Sequence, residues 1–127
     1  MPTRRFFLAG SAVLAAGPAL AAAPAPFDQA AFEAAQAAGK PILVHITAPW
    51  CPICKAQKPI LGRIGEEPKF KDIAIFSIDF DSQRDLVRKF DARSQSTLIA
   101  FKGKTEVGRS VGETQPEWIE SFVEKVL

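Results

Sequence analysis

The chain has 127 residues, of which 47% are hydrophobic and 24% charged, so its length and composition fit one small globular domain. The formal net charge of +2 comes from 16 basic and 14 acidic residues. Arg4 and Arg5 account for that excess and lie in a leader that we expect to be removed. The rest of the chain is near neutral and gives no electrostatic reason to expect nucleic acid or an anionic membrane as a partner.

The N-terminal segment has the pattern of a cleavable export signal. Arg4 and Arg5 form a basic start, residues 6–16 are apolar, and small residues at 19–23 offer cleavage sites of the Ala-x-Ala type. We therefore expect residues 1–23 to be a cleaved signal and residues 24–127 to form a domain that works in the periplasm.

The export route and the cleavage have alternatives. Residues 3–8 (Thr-Arg-Arg-Phe-Phe-Leu) are similar to a twin-arginine signal, but the general secretory route stays open. An uncleaved anchor also stays open, because residues 6–26 are just long enough to span a bilayer, although Gly17 and Pro18 interrupt them. After residue 26 no uncharged apolar run of about 18 residues occurs, so we expect the mature domain not to be membrane-embedded.

The first half of the mature chain predicts a helix, a strand and a second helix. Residues 27–38 favour a helix with Asp28 as its N-cap and Gly39 as its C-cap. Residues 42–46 (Ile-Leu-Val-His-Ile) are short, apolar and β-branched, as expected of a buried strand. A helix should then begin at Cys51–Pro52, because proline lacks an N–H group that the first turn leaves unpaired.

The next segment predicts a second strand and a third helix. Residues 73–78 are apolar and β-branched, which favours a buried strand. A short helix should follow and end near Phe90, with Asp81 or Ser82 as its N-cap.

The C-terminal part predicts a hairpin and a last helix. Residues 97–101 and 106–111 are strand-like and are joined by Lys-Gly-Lys-Thr, a hairpin connection. Residues 114–117 (Thr-Gln-Pro-Glu) have the spacing of a capping box for a helix that runs to the end. The apolar residues that this helix should bury are Trp118, Ile119, Phe122, Val123 and Val126.

The only two cysteines, Cys51 and Cys54, are separated by two residues. A framework of structural disulfides is therefore excluded, and the pair is either redox-active or metal-binding. Structural zinc usually takes four ligands, and the two thiols with the only histidine, His45, make three.

The position of the pair between a strand and a helix favours redox chemistry. Unpaired backbone N–H groups and the positive end of the helix dipole face the first cysteine and stabilise a thiolate there. Two intervening residues bring the second thiol within disulfide reach. We expect Cys51 to be the exposed nucleophile and Cys54 the more buried thiol that resolves the mixed disulfide.

Three segments carry a resemblance to the thioredoxin superfamily: residues 40–44, residues 50–61 with Trp-Cys-Pro-Ile-Cys-Lys, and residues 96–104, together with Gly108 and Gly112. The resemblance covers nearly the whole mature chain. It implies an α/β thioredoxin fold with a central, mixed, four-stranded sheet flanked by helices. The usual first strand is expected to be missing, since the mature chain opens with a helix. It also implies a redox-active disulfide that needs no other cofactor.

Ser96 stands where the superfamily normally carries a cis-proline beside the dithiol. A cis bond before serine would cost about 2.5–4 kcal/mol, so we expect a trans bond. By resemblance, Trp50, Ser96 and Thr97 should line the site for the partner protein, and the loop before Thr97 could place a hydroxyl beside the thiols. Because that proline helps keep metals off the thiols, its loss makes metal or iron–sulfur capture by Cys51 and Cys54 the alternative hypothesis.

His45 stands where thioredoxins bury an aspartate that assists proton transfer to or from the resolving thiol. A neutral imidazole could do the same work, and a core histidine without that role is the alternative. The lysine that often pairs with the aspartate is replaced by Ile75. Pro52 and Ile53 should tune the reduction potential through hydrogen bonding and solvation at the thiols.

The sequence thus predicts a periplasmic thiol–disulfide oxidoreductase. Its expected partners are cysteine-containing exported proteins and a membrane donor or acceptor of electrons. The direction stays open: the Cys-Pro-x-Cys form resembles oxidising members of the superfamily and the compact domain resembles reducing ones, and we favour a reductant. A metal-binding or cluster-binding protein, and an interaction module with an incidental dithiol, are the alternatives.

Overall fold

The computed structural model describes residues 23–127, so all but the last residue of the predicted signal lies outside the described residues. The described part is an α/β structure in which one mixed sheet carries helices on both faces. Within it, no helix combines the length and the hydropathy needed to cross a membrane.

Apart from an additional short strand at the start, the helices and strands follow the predicted order. The strands are β1 (Ala25–Pro26), β2 (Pro41–Thr47), β3 (Ala74–Asp79), β4 (Thr97–Lys102) and β5 (Thr105–Val111). The helices are α1 (Gln29–Ala37), α2 (Pro52–Glu66), α3 (Arg84–Lys89) and α4 (Pro116–Val123). Single turns of 3-10 helix, Pro68–Phe70 and Glu124–Val126, follow α2 and α4.

The sheet has five strands in the order β1-β3-β2-β4-β5, so the predicted number of four is wrong. β1 pairs in parallel with β3 through Ala25 and Pro26, and it is the first strand that the sequence was expected to lack. Two residues of alanine and proline give no periodic pattern, and proline is tolerated here because the strand lies at the edge of the sheet. β2 lies in the middle, parallel to β3 and antiparallel to β4.

The predicted N-cap of α1 is confirmed, whereas its C-cap is Ala38, one residue before the predicted Gly39. The Asp28 carboxylate accepts a hydrogen bond from the Ala31 N–H at 2.8 Å, as an N-cap does. Gly39 follows the helix with φ of 72°, a left-handed conformation that glycine adopts without the steric cost of a side chain.

The predicted caps of α3 and α4 are wrong. The N-cap of α3 is Gln83 rather than Asp81 or Ser82, because those two residues bond to the Asp79 carboxylate in a tight turn. Thr114 caps nothing: the α4 N-cap is Gln115, and the carboxylate of Glu113 accepts the N–H groups of both residues. In both places an acidic side chain just before the expected cap satisfies the backbone instead.

The sheet separates two apolar cores. The α2/α4 core is mostly aliphatic and contains Leu43, Ile60, Leu61, Ile64, Phe70, Ile73, Ile75, Leu98, Ala100, Ile119, Phe122, Val123 and Val126. The α1/α3 core contains Phe32, Ala35, Ile42, Val44, Ile46, Phe76, Ile78, Val87, Phe90, Ile99 and Phe101. Successive residues of β2 alternate between them, because side chains along a strand point to opposite faces.

Trp118 does not join the α2/α4 core, which corrects the prediction for α4. Its side chain is 50% exposed and stacks on Phe122, with ring centroids 6.1 Å apart. The other four predicted residues of this segment are buried. A helix of eight residues has one narrow inner face, and Ile119, Phe122 and Val123 already fill it.

Candidate active site: the Cys51–Cys54 dithiol

The two cysteines lie where β2 ends and α2 begins, as predicted. Cys51 is the N-cap of α2, and its Sγ accepts a hydrogen bond from the Cys54 N–H at 3.1 Å. Pro52 occupies the first helical position, where no N–H group is needed. The sulfur of Cys51 therefore receives a backbone donor at the N-terminal end of α2, where the helix dipole is positive.

Both cysteines are free and buried: Cys51 is 2% exposed and Cys54 is 0% exposed. The expectation that Cys51 is the exposed thiol is therefore wrong for the free protein. Ala48 and the partly buried Phe80 pack against the pair. Burial raises the pKa of the Cys54 thiol, and the hydrogen bond with Cys51 raises it further. This arrangement suits Cys54 to the role of resolving thiol.

Two exposed apolar side chains flank the thiols. Trp50 is 56% exposed and Ile53 is 42% exposed. The Trp50 indole Nε1–H donates to the Asp81 carboxylate at 2.6 Å, which fixes the ring beside the thiols. Sequence reasoning assigned Asp81 to capping, and no local pattern connects it with a tryptophan 31 residues away. The positions of Trp50 and Ile53 fit contact with a partner protein and leave that predicted role open to test.

A buried polar network lies one turn below the dithiol. The Gln57 amide donates from Nε2 to the carbonyl oxygens of Ser96 and Glu113, at 3.3 and 2.9 Å. Its Oε1 therefore faces His45 Nε2, at 2.9 Å, and accepts from it. In a neutral ring this pairing puts the proton on Nε2 and leaves Nδ1 as the acceptor.

His45 stays neutral over the physiological range. Burial lowers its pKa to about 4, and the positive charge of Lys58 adds to the lowering while the hydrogen bond with Gln57 opposes it. The residue is buried in the sheet, and its hydrogen bond goes to Gln57 rather than to a thiol. Proton transfer to Cys54 stays a prediction, and Nδ1 is the atom that would perform it.

Gln57 was missed by sequence reasoning. It is fully buried on α2, on the same face as Cys54 and Ile60, where the helical period calls for an apolar residue. The polar residue at this otherwise apolar position of the helix was the signal in the sequence that could have identified Gln57. Ile75, in contrast, is buried in the α2/α4 core, as expected if the family's charged pair is absent from this chain.

The loop before β4 differs from its prediction in one respect. Ser96 has φ of 60°, and no peptide bond in residues 23–127 is cis, so the expected trans bond before Ser96 is confirmed. Its hydroxyl donates to the Gln95 carbonyl at 2.6 Å, and the Thr97 hydroxyl donates to the Ser94 carbonyl at 2.7 Å. Neither hydroxyl is directed at a thiol, because each satisfies a carbonyl of its own loop.

The alternative metal hypothesis lacks a third ligand. Over residues 23–127 no group of three or more His, Cys, Asp or Glu side chains could hold a metal ion. His45 is on the same face of β2 as the dithiol, but its Nε2 is engaged by Gln57. Two thiols alone fit a redox-active pair better than a metal centre.

Comparison with known proteins decides the family. Residues 23–125 match the thioredoxin family model. The chain belongs to the thioredoxin family. It is accordingly a protein thiol–disulfide oxidoreductase of a family that uses a redox-active disulfide, and Cys51 and Cys54 are the only cysteines in its sequence.

Individual relatives agree with this assignment. Thioredoxin Asp f 29 of Aspergillus fumigatus is 30% identical over 84 residues, which cover 66% of this chain and 76% of the relative. Thioredoxin-2 of Saccharomyces cerevisiae is 35% identical over 82 residues, covering 64% and 77%.

Solved structures agree as well. The crystal structure of Trxlp from Edwardsiella tarda superposes with a TM-score of 0.77 at 40% identity, covering 80% of this chain and 98% of that one. A thioredoxin from Halobacterium salinarum superposes with a TM-score of 0.71 at 21% identity, covering 88% and 95%, and this likeness concerns the fold alone.

Proposed function

We propose that this thioredoxin-family protein is exported to the periplasm and exchanges its dithiol with disulfides of other exported proteins. The observation that carries the exchange is the asymmetry of the pair: Cys51 caps α2 and accepts the Cys54 N–H, whereas burial raises the pKa of the Cys54 thiol. Both side chains are buried in the free protein, and Cys51 is the one that follows the exposed Trp50, where a partner can dock.

The proposed exchange has two steps. The Cys51 thiolate attacks one sulfur of the partner's disulfide, a new S–S bond forms, and the partner's other sulfur leaves as a thiolate that takes a proton from water. Cys54 then loses its proton to solvent and attacks Cys51, the intramolecular disulfide forms, and the second partner sulfur leaves as a thiolate that takes a proton from water. The partner is reduced by two electrons and the dithiol is oxidised by two.

Substitution of one cysteine at a time tests the exchange. Cys54→Ser should accumulate mixed disulfides through Cys51, because the resolving thiol is gone, whereas Cys51→Ser should form none. Reduction of insulin, followed by its precipitation, should fall by at least about 100-fold in both variants. Full activity of Cys51→Ser in a cellular assay would instead favour an interaction module with an incidental dithiol.

Export rests on residues outside the described structure. The basic start, the apolar run and the Ala-x-Ala sites all precede or end at residue 23, where the family match begins. The leader is therefore additional to the thioredoxin domain, as expected of a signal that is removed.

The mass and location of the protein in a Gram-negative host test the export proposal. Periplasmic protein should begin near residue 24, and removal of residues 1–23 should keep it in the cytoplasm. Replacing Arg4 and Arg5 with lysine should block export by the twin-arginine route and leave the general secretory route intact. Full-length protein in the cytoplasm would contradict export.

The direction of electron flow is proposed as reducing, with electrons supplied by a membrane thiol–disulfide donor, because an oxidising periplasm returns no electrons by itself. The reduction potential of metal-free mature protein in dithiothreitol or glutathione buffers is the measurement. A value of about −250 mV or below supports the reductant. A value of about −120 to −180 mV makes the protein a disulfide donor or isomerase.

A further inference from the structure

The hydroxyl of Thr47 has no role in the exchange described so far. Thr47 is the last residue of β2 and is buried, at 9% exposure. Its Oγ1 is the one buried side-chain N or O atom in residues 23–127 that lacks a hydrogen-bond partner. A buried hydroxyl without a partner destabilises the folded protein. Its presence suggests that it donates a hydrogen bond when a neighbouring group becomes negatively charged.

The geometry of β2 directs Thr47 to the dithiol. Leu43 belongs to the α2/α4 core and His45 bonds to Gln57 of α2, so the odd-numbered residues of β2 face α2. Thr47 is the next residue on that face, toward the start of α2. The turn after it is closed by the Cys51 N–H, which donates to the Ala48 carbonyl at 3.2 Å.

Thr47 precedes Ala48, which packs in one cluster with both cysteines, so the sulfur of Cys54 on the first turn of α2 is the acceptor that this geometry offers to the hydroxyl. The Thr47 side chain acts to lower the pKa of the Cys54 thiol, against the larger effect of burial that raises it. In the thiol form the contact lacks the geometry of a normal hydrogen bond, since Oγ1 remains without a partner. A neutral thiol is a weak acceptor, whereas a thiolate is a strong one.

We propose that Thr47 is a catalytic residue that donates a hydrogen bond from Oγ1 to the Cys54 thiolate during resolution. The proposal deepens the exchange function above and rests on it. Cys54 loses its proton to solvent and then attacks the Cys51 sulfur of the mixed disulfide. The new Cys54–Cys51 bond forms, the Cys51–partner bond breaks, and the partner leaves as a thiolate that is protonated by water. In the reverse direction the same hydroxyl stabilises Cys54 as the leaving group.

Other titratable groups near Cys54 do not supply this interaction. Cys51 is neutralised in the mixed disulfide, and His45 bonds to Gln57 and is neutral above about pH 5. Lys58 on α2 acts on His45, and Asp81, after β3, is bonded to Trp50. Thr47 therefore remains as the side-chain donor for the thiolate.

The Thr47→Val variant tests the proposal because valine keeps the shape and removes the hydroxyl. Reduced mature protein is mixed with 5,5′-dithiobis(2-nitrobenzoate) in a stopped-flow instrument over pH 5–10. The first thionitrobenzoate released reports attack by Cys51. The second, whose rate does not depend on reagent concentration, reports resolution by Cys54.

The second phase should slow by about 3- to 10-fold near pH 7 in Thr47→Val, and its pH inflection should move up by about one unit or more. The fall in rate is smaller than the fall in thiolate fraction, because a thiolate of higher pKa is a better nucleophile. The first phase should stay within about twofold of wild type, since Cys51 does not need this donor.

The melting temperature should not fall together with the rate of the second phase. This difference separates the loss of the hydroxyl's hydrogen bond from a loss of packing. Thr47→Val should leave the melting temperature of the reduced protein unchanged or raise it, because an unpartnered buried hydroxyl is removed. Thr47→Ser keeps the hydroxyl and should restore the pH inflection of the second phase. Thr105→Val, an exposed threonine on β5 at the opposite end of the sheet, is the matched control.

An unchanged second phase in Thr47→Val would overturn the proposal. Equal slowing in Thr47→Val and Thr47→Ser would also overturn it, because the packing of the methyl group and not the hydroxyl would then control the rate. Failure of the exchange function is distinct: wild-type protein would then release no second thionitrobenzoate at all.

Discussion

The two faces of β2 differ in chemistry although both are buried. On the α1/α3 side the strand presents Ile42, Val44 and Ile46, all apolar. On the α2 side it presents Leu43, then His45 and then Thr47, so that polarity increases toward the dithiol. The comparison shows that one strand serves as core on one face and supports the site on the other.

The apolar face should control stability with little effect on thiol chemistry. Ile46→Ala removes buried methyl groups from the α1/α3 core and should lower the free energy of unfolding by about 2–5 kcal/mol. Urea denaturation of the reduced protein measures the loss, and Ile46→Val should cost about 0.5–1.5 kcal/mol. If the folded Ile46→Ala protein reacted more slowly with 5,5′-dithiobis(2-nitrobenzoate), the apolar face of β2 would also affect thiol reactivity, and the prediction would be wrong.

The polar face should make stability depend on pH. His45 has a folded-state pKa of about 4, against 6.5 for the ordinary side chain. Between these values the unfolded chain binds more protons, so stability is full above pH 6.5 and falls as the pH falls toward 4. The loss from this one group is about 3 kcal/mol.

Urea midpoints measured at intervals from pH 7 to pH 4 check that loss. Carboxylates also titrate at the acidic end, so the relevant quantity is the difference from His45→Asn, and His45 is the only histidine in the chain. The variant should have a flatter profile between pH 6.5 and 5. Equal slopes in the two proteins would show that burial does not depress this histidine's pKa.

Gln57 connects the polar face of β2 to α2 and to the loop before β4. Gln57→Met keeps the length and helix propensity but leaves His45 Nε2–H and two carbonyls without their partner, so stability should fall by about 1–3 kcal/mol. Gln115→Met, an exposed glutamine whose side chain makes no cap bond, should stay within about 0.5 kcal/mol. Similar effects in both variants would mean that the buried network contributes no net stability.

The smallest expected effect concerns two exposed tryptophans, one beside the dithiol and one away from it. Trp50 and Trp118 are similarly exposed, but Trp50 bonds to Asp81 beside the thiols and Trp118 only stacks on Phe122. Trp50→Phe should cost about 1 kcal/mol in stability and slow insulin reduction, because the ring is no longer held. Trp118→Phe should leave insulin reduction unchanged. A slower reaction in Trp118→Phe would place partner contacts on α4 as well.

Local patterns were sufficient for the reactive pair and for most of the fold. The Cys51–Cys54 spacing, the preceding apolar run and Pro52 placed the dithiol at the start of a helix, and the Asp28 cap and the hairpin were equally local. The predictions from sequence failed where a contact between residues, and not the hydrophobic periodicity of a segment, determines the local structure. β1 is ordered only by pairing with β3, and the cap of α3 was displaced by the carboxylate of Asp79.

The sequence by itself determined the dithiol, the order of its two thiols at the start of α2, and the family. These depend on residue types within a few positions of one another. The tertiary structure alone decided the supporting contacts. Gln57 meets carbonyls 39 and 56 residues away, and Trp50 meets Asp81. Such pairs form because the sheet brings distant segments together and leaves buried polar groups no solvent to bond with, so their partners must come from the fold.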